Sequence, residues 1–202
     1  MWAKKKNDIS PGGLSVFPVL VGKRVAELCI VLQGSCASIP PLKNSKIPGT
    51  NFLNPRTRGK IKTLDAAWWA AVFSKPEHQP LRGWRWEEKV LVQVLLSKTT
   101  RADADNAMAT VRDWLEPPTK SVGRRQRGWG IGLVGNDSQI ISIAMHQADL
   151  GIKLEQDVTF IFIKPLLTED KAALCSLFKE LFRRSFITLN NTETAWRTTA
   201  LQ

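Results

Sequence analysis

The chain has 202 residues, 43% of them hydrophobic; this argues against global disorder and suits one domain that buries its core without disulfides or metals. Lysine plus arginine is 29 and aspartate plus glutamate 18, a net charge of +11 that points to a polyanionic partner, nucleic acid or an anionic membrane surface. Three cysteines and two histidines, none at metal-site spacing, argue against a disulfide scaffold and a zinc site and fit a reducing compartment.

Residues 1–23 read as an N-terminal arm with a turn-rich Pro11-Gly12-Gly13. Lys4, Lys5 and Lys6 precede the apolar run Leu14 to Val21 as in a signal peptide. That run is short, holds Pro18 and has no small-residue cleavage pattern after it, so no signal is expected. No apolar run reaches the ~18–20 residues that span a bilayer, so no membrane partner is expected. Val25 to Gln33 predicts a buried strand, apolar on both faces. Pro40-Pro41 then enforces an extended chain. Residues 42–62 read as an irregular basic loop, with Lys43, Lys46, Arg56, Arg58, Lys60 and Lys62 able to touch phosphate.

Thr63 to Phe73 predicts a helix with Thr63 as N-cap and alanines in its interior. Its adjacent Trp68 and Trp69 cannot both face one way, so one must meet a neighbouring element. Lys89 to Leu96 predicts a strand. After a polar stretch from Ser97 to Arg101, Asp103 to Leu115 predicts a helix with acids in its first turn, stopped by Pro117-Pro118. Residues 119–135 form a glycine- and arginine-rich connection. Ser138 to Met145 and Val158 to Ile163 predict two more strands. Asp170 to Phe182 predicts an amphipathic helix with Leu174, Leu177, Phe178, Leu181 and Phe182 on one stripe. The order implies an α/β (α+β) fold, a single mixed sheet layered with helices. The organisation is an arm at 1–23, a folded domain at 24–186 and a polar tail at 187–202.

The sharpest constellation is Asp103-Ala104-Asp105-Asn106, where a strand hands over to a helix. In an extended segment residues i and i+2 point to the same side, and two carboxylates so placed suit Mg²⁺, a hard cation. Asp137, at the entry to a later strand, would join them if the strand–helix–strand unit returns the chain to its start. Three carboxylates around Mg²⁺ in a basic protein are the layout of a metal-dependent phosphodiesterase. Lys120, Arg124, Arg125 and Arg127 with Trp129 could follow a nucleic-acid backbone. Gly130-Ile131-Gly132-Leu133-Val134-Gly135 matches a dinucleotide fingerprint in letters only. An arginine-rich loop precedes it and a strand follows it, so no nucleotide cofactor is expected. His78 and His146 are isolated, and Trp84 and Trp86 are expected to pack or pair.

Three stretches resemble the RusA family of Holliday-junction resolvases. Ile39-Pro40-Pro41-Leu42-Lys43-Asn44 resembles its Pro-Pro-x-x-Asn segment, Asp103-Ala104-Asp105-Asn106 its D-x-D-N, and Asn136-Asp137-Ser138-Gln139-Ile140 its D-D-x-Q-[IV]. The resemblance runs from about Val25 to Ile163. It implies a Mg²⁺-dependent endonuclease (Mn²⁺ as a substitute) that acts as a homodimer on branched DNA in recombination and repair, in the cytoplasm of a bacterium or a phage-infected cell. It implies Asp103, Asp105 and Asp137 as catalytic metal ligands, with Asn106 and Asn136 behind them. Lys43, Lys46, Arg56, Arg58, Lys98, Arg101, Lys120, Arg124, Arg125 and Arg127 are the cations expected on DNA. Two positions depart from the pattern: Ala109 stands where the family carries a lysine, and Asn136 replaces the first acid of its pair. Those departures carry the alternative reading, a protein of the same fold that binds branched DNA with little or no chemistry.

Overall fold

A computed structural model describes residues 13–42, 54–118, 129–151 and 157–167. The chain divides into two compact units, Met1–Pro165 and Leu166–Gln202, and only Leu166 and Leu167 of the second are among the described residues. The predicted helix at 170–182 and the polar tail lie outside them.

Five strands make one sheet: β1 (Leu14–Val21), β2 (Arg24–Gln33), β3 (Val90–Leu96), β4 (Ile140–His146) and β5 (Val158–Pro165). Their spatial order is β1-β2-β5-β3-β4. All neighbours are antiparallel except β3 and β4, which run parallel with Val90 opposite Ile140 and Leu96 opposite His146. The mixed sheet with helices is the α+β architecture expected from the order of elements.

Two predicted boundaries need correction. Residues 14–21 are not part of an arm: they form the edge strand, joined to β2 through Gly22 and Lys23, with Gly22 in the left-handed region at φ 62°. Pro18 is tolerated there because one row of an edge strand's N–H groups has no ladder partner. Residues 55–62 are not a loop: α1 runs Pro55–Ser74. The Asn54 side chain accepts the Arg56 N–H at 2.9 Å and Pro55 occupies the first turn, a strong start signal. Thr63, read as the cap, lies inside the helix and donates its hydroxyl to the Gly59 carbonyl at 3.1 Å.

The second helix, α2 (Ala104–Leu115), links β3 to β4. Both helices contribute to one core with the strands. Ile61, Leu64, Trp68 and Val72 of α1 and Ala107, Met108, Val111 and Trp114 of α2 meet Ile30, Leu32, Val92 and Ile161. Trp68 and Trp114 join the helices edge-to-face, centroids 6.3 Å apart. Trp68 is therefore the tryptophan that meets a neighbour, while Trp69 turns outward.

The other face of the sheet carries a row across all five strands, Phe17–Cys29–Phe162–Gln93–Ile143, and beside it Ser15–Val31–Phe160–Leu95–Met145. Phe17, Phe162, Ile143 and Met145 are exposed there, and Phe160 and Phe162 stack.

Candidate nucleic-acid interface

The chain leaves β3 through Ser97–Ala102 and enters α2, and this turn is pinned by buried hydroxyls. Thr159 on β5 donates to the Ala37 carbonyl at 2.7 Å and accepts the Ser97 N–H at 2.8 Å. Thr110 on α2 donates to the Pro40 carbonyl at 2.7 Å and accepts the Leu42 N–H at 3.1 Å. Two segments distant in sequence, Ala37–Leu42 and Ser97–Ala102, are thereby fixed side by side.

Between these segments and the first turns of α1 lies a cleft of about 490 Å³, lined among others by Pro40, Pro41, Arg56, Lys60, Thr99 and Arg101. Arg56 and Lys60 are four residues apart, so one helix face presents both. Arg101 lines the same cleft from the turn between β3 and α2. All three are exposed, and Thr57 and Thr99 line the same cleft. Three cations around a concave surface suit phosphate oxygens. Lys60 belongs to the basic stretch read as able to touch phosphate, though not to the cations that the resemblance places on DNA. The signal that finds it is its i, i+4 spacing from Arg56, which has meaning only once the helix starts at Pro55.

Of the other expected cations, Arg58 lies on the outward side of α1 and Lys98 is exposed after β3. Lys43, Lys46, Lys120, Arg124, Arg125 and Arg127 lie outside the described residues.

The three aspartates divide. Asp103 and Asp105 do not share an extended segment: Asp103 is the N-cap of α2 and Asp105 is in its first turn. Asp103 Oδ1 accepts the Asn106 N–H at 2.7 Å and Oδ2 accepts the Asn106 side-chain amide at 2.8 Å. Asn106 thus orients a carboxylate, but toward its own helix. Asp137 pairs with Arg112, 3.6 Å between Oδ2 and Nη2, and its carbonyl accepts from the same nitrogen at 3.0 Å. Arg112 stands about two and a half turns beyond Asp103, roughly 13 Å along α2. The parallel register explains the separation. Asp137 precedes β4 at the end where β3 begins, and Gln139 donates there to the Glu87 carbonyl at 2.9 Å. Asp103 follows the end where β3 finishes. Asn136 caps its own turn by accepting the Ser138 N–H at 3.0 Å.

Mg²⁺ would be held by carboxylate oxygens within about 2.1 Å of it. These residues do not fit that requirement as one set. Both Asp103 oxygens are engaged in capping, Asp137 is paired with Arg112, and among the described residues no three His, Cys, Asp or Glu side chains gather to hold a metal.

The glycine-rich stretch has a structural use. Ile131 N–H donates to the Trp114 carbonyl at 2.9 Å, Gly132 to Glu116 at 3.1 Å and Val134 to Leu115 at 3.2 Å, so the loop caps the C-terminus of α2. At Gly130, φ 131°, a Cβ would lie 2.3 Å from the Glu116 carbonyl oxygen, which only glycine avoids. Asp65 on α1 fastens the same loop by accepting the Gly130 N–H at 3.1 Å. Burial pushes the Asp65 carboxyl above its ordinary value, and the hydrogen bond from Gly130 offsets part of that rise. Trp84 and Trp86 pack on each other edge-to-face, centroids 6.5 Å apart. His78 is buried with Nδ1 2.8 Å from the Ala71 carbonyl. Burial raises the thiols of Cys29 and Cys36 above their ordinary value. Among the described residues no helix is long and apolar enough to cross a membrane.

No protein-family model, curated protein or solved structure matches this chain.

Proposed function

We propose that this protein binds branched DNA and grips the phosphodiester backbone in the cleft between Ser38–Pro41, the first turns of α1 and the Thr99–Ala102 turn. The observation that carries the reading is the convergence of Arg56, Lys60 and Arg101 on one concave surface in a chain of net charge +11. Phosphate contacts of this kind supply affinity and register without reading sequence. The branched form of the DNA rests on the RusA resemblance. That resemblance also supplies a second partner, another copy of the chain. The outer sheet face, with Phe17, Phe162, Ile143 and Met145 exposed, is the surface we assign to it, since two such faces pack about 10 Å apart in sheet sandwiches. Two copies related by a two-fold axis would present two clefts to a junction of matching symmetry. The compartment that follows is the cytoplasm of a bacterium or a phage-infected cell.

Endonuclease activity is the second reading. The observation that favours it is that Asp103 and Asp105 follow directly on Ala102, which lines the cleft. One experiment separates the readings. A synthetic four-way junction and a linear duplex of equal length are incubated with the protein, with and without Mg²⁺, and scored for gel shift and for nicking. A shift preferring the junction without nicking supports a binding protein. Nicking that Asp105→Asn abolishes while the shift persists supports an endonuclease. Equal binding of junction and duplex removes the branched specificity, and no shift of either removes both readings.

A further inference from the structure

We infer that the outward face of α1 is a stacking platform for unpaired bases, so that the nucleic acid held in the cleft includes single-stranded segments; this rests on the nucleic-acid reading of the cleft. Arg58, Lys62, Ala66, Trp69 and Phe73 fall at i, i+4, i+8, i+11 and i+15 on α1, and all are exposed. That spacing makes one outer stripe, about 22 Å long. The inner face of α1 already fills the core through Ile61, Leu64, Trp68 and Val72. Trp69 and Phe73 lie outside that core, 37% and 58% exposed.

The two rings sit 5.9 Å apart with planes tilted by 36°. Across Phe73 lies the Arg82 guanidinium, 4.7 Å from the ring centroid, held by a hydrogen bond to the Phe73 carbonyl at 3.4 Å. Beside them a cleft of about 330 Å³ opens between Phe73, Ser74, Pro76, Gln79 and Arg82. A planar aromatic with a cation fixed at its face and an open slot alongside is what a nucleobase and its phosphate need. The charges complete the pattern. The stripe runs from Arg58 and Lys62 near the cleft to the aromatic pair, so a strand leaving the cleft meets cations first and rings second. The nearby acids are accounted for elsewhere: Asp65 accepts from Gly130, and Glu77 lies 3.9 Å from Lys75. A base on an aromatic ring is bound without regard to its identity, because every base has a π face.

The test compares an oligothymidylate with an abasic oligomer of the same length and charge, by fluorescence anisotropy on the full chain. The wild type should bind the oligothymidylate at least about fivefold more tightly, the lower end of what one stacked base contributes. The double variant Trp69→Ala, Phe73→Ala, which puts the best helix former at two exposed sites, should bind both oligomers alike while keeping its affinity for the four-way junction. Circular dichroism verifies that the helix content is kept, and Trp69→Phe should restore most of the difference. Equal binding of the two oligomers by the wild type overturns the platform, as does a difference that survives in the double variant. A double variant that changes only the mass in solution marks the stripe as a protein contact and also overturns it. A wild type that binds neither oligomers nor junction overturns the cleft reading, and the platform with it.

Discussion

Replacing Arg56, Lys60 and Arg101 together by alanine tests the cleft most directly. All three are exposed and none belongs to the hydrophobic core, so the folded state should change by no more than about 0.5 kcal/mol per site. Each phosphate that a cation neutralises contributes about 0.9 to the slope of log affinity against log salt. Losing three contacts should make the slope shallower by about 2.7. Between 50 and 200 mM salt each contact loses about 3.5-fold in affinity, and three lose about 40-fold together. At about 150 mM salt the same slope makes each contact worth roughly 1 kcal/mol, so the triple variant should bind about 170-fold more weakly.

The assay is anisotropy of a labelled four-way junction at four salt concentrations. Its control is a second triple variant, Lys23→Ala, Arg24→Ala, Lys75→Ala, which removes the same charge from exposed positions outside the cleft lining. Net charge acts through the field of the whole molecule, whereas contact neutralisation is local. If the two triple variants lose the same slope, the cleft is not the site of contact and the reasoning fails.

Three further outcomes follow from the packing. Trp68→Ala should cost about 3–5 kcal/mol in urea unfolding because Trp68 is 1% exposed, whereas Trp69→Ala should cost less than about 1; similar losses would contradict the assignment of faces. Thr159→Val leaves the buried Ser97 N–H without its acceptor and should cost about 1–3 kcal/mol by the same measurement, with junction binding weakened because that hydroxyl fixes the turn beside Arg101. Asp65 holds its proton more tightly folded than unfolded, so its ionisation lowers stability as pH rises from the unfolded value through the raised folded one. Asp65→Asn keeps an acceptor for Gly130 without the buried charge, so the stability of the variant relative to wild type should be higher at pH 7 than at pH 3.5; a difference independent of pH would refute this.

The strands were legible because their chemistry is local. Val90 to Leu96 and Val158 to Ile163 are runs of β-branched and large apolar residues with few alternatives. The start of α1 was less visible because Arg56, Arg58, Lys60 and Lys62 mask the period that Ile61 and Leu64 begin, and composition there speaks for a loop. The Asn54-Pro55 pair outweighs it by satisfying a free N–H and presetting a backbone angle. Pro18 hid β1 because proline forbids a central strand, and only the sheet order reveals that β1 is an edge. The cleft joins Pro40, Arg56 and Arg101, residues whose proximity depends on Thr110 and Thr159 bridging elements far apart in sequence. Nothing in the letter pattern around either threonine signals that role.

The acids at the start of α2 can be understood without a ligand. An aspartate N-cap contributes about 1 kcal/mol to a helix, and a carboxylate in the first turn adds about 0.3–1 kcal/mol against the helix dipole. Asp103 and Asp105 occupy these positions, so helix formation alone accounts for both. Their cost falls on binding, since two negative charges follow Arg101 where phosphates are to be held, and like charges repel. On this account Asp105→Asn removes a repulsion and should tighten junction binding, most clearly at low salt, whether or not Mg²⁺ is added. If Asp105 instead takes part in holding an ion, the same substitution should weaken binding when Mg²⁺ is present and leave the metal-free affinity tighter. Junction affinity measured for wild type and Asp105→Asn, each with and without Mg²⁺, therefore decides between a residue that builds the helix and one that serves the bound DNA. Tightening in both conditions upholds the helix account, and a reversal of sign on adding Mg²⁺ refutes it.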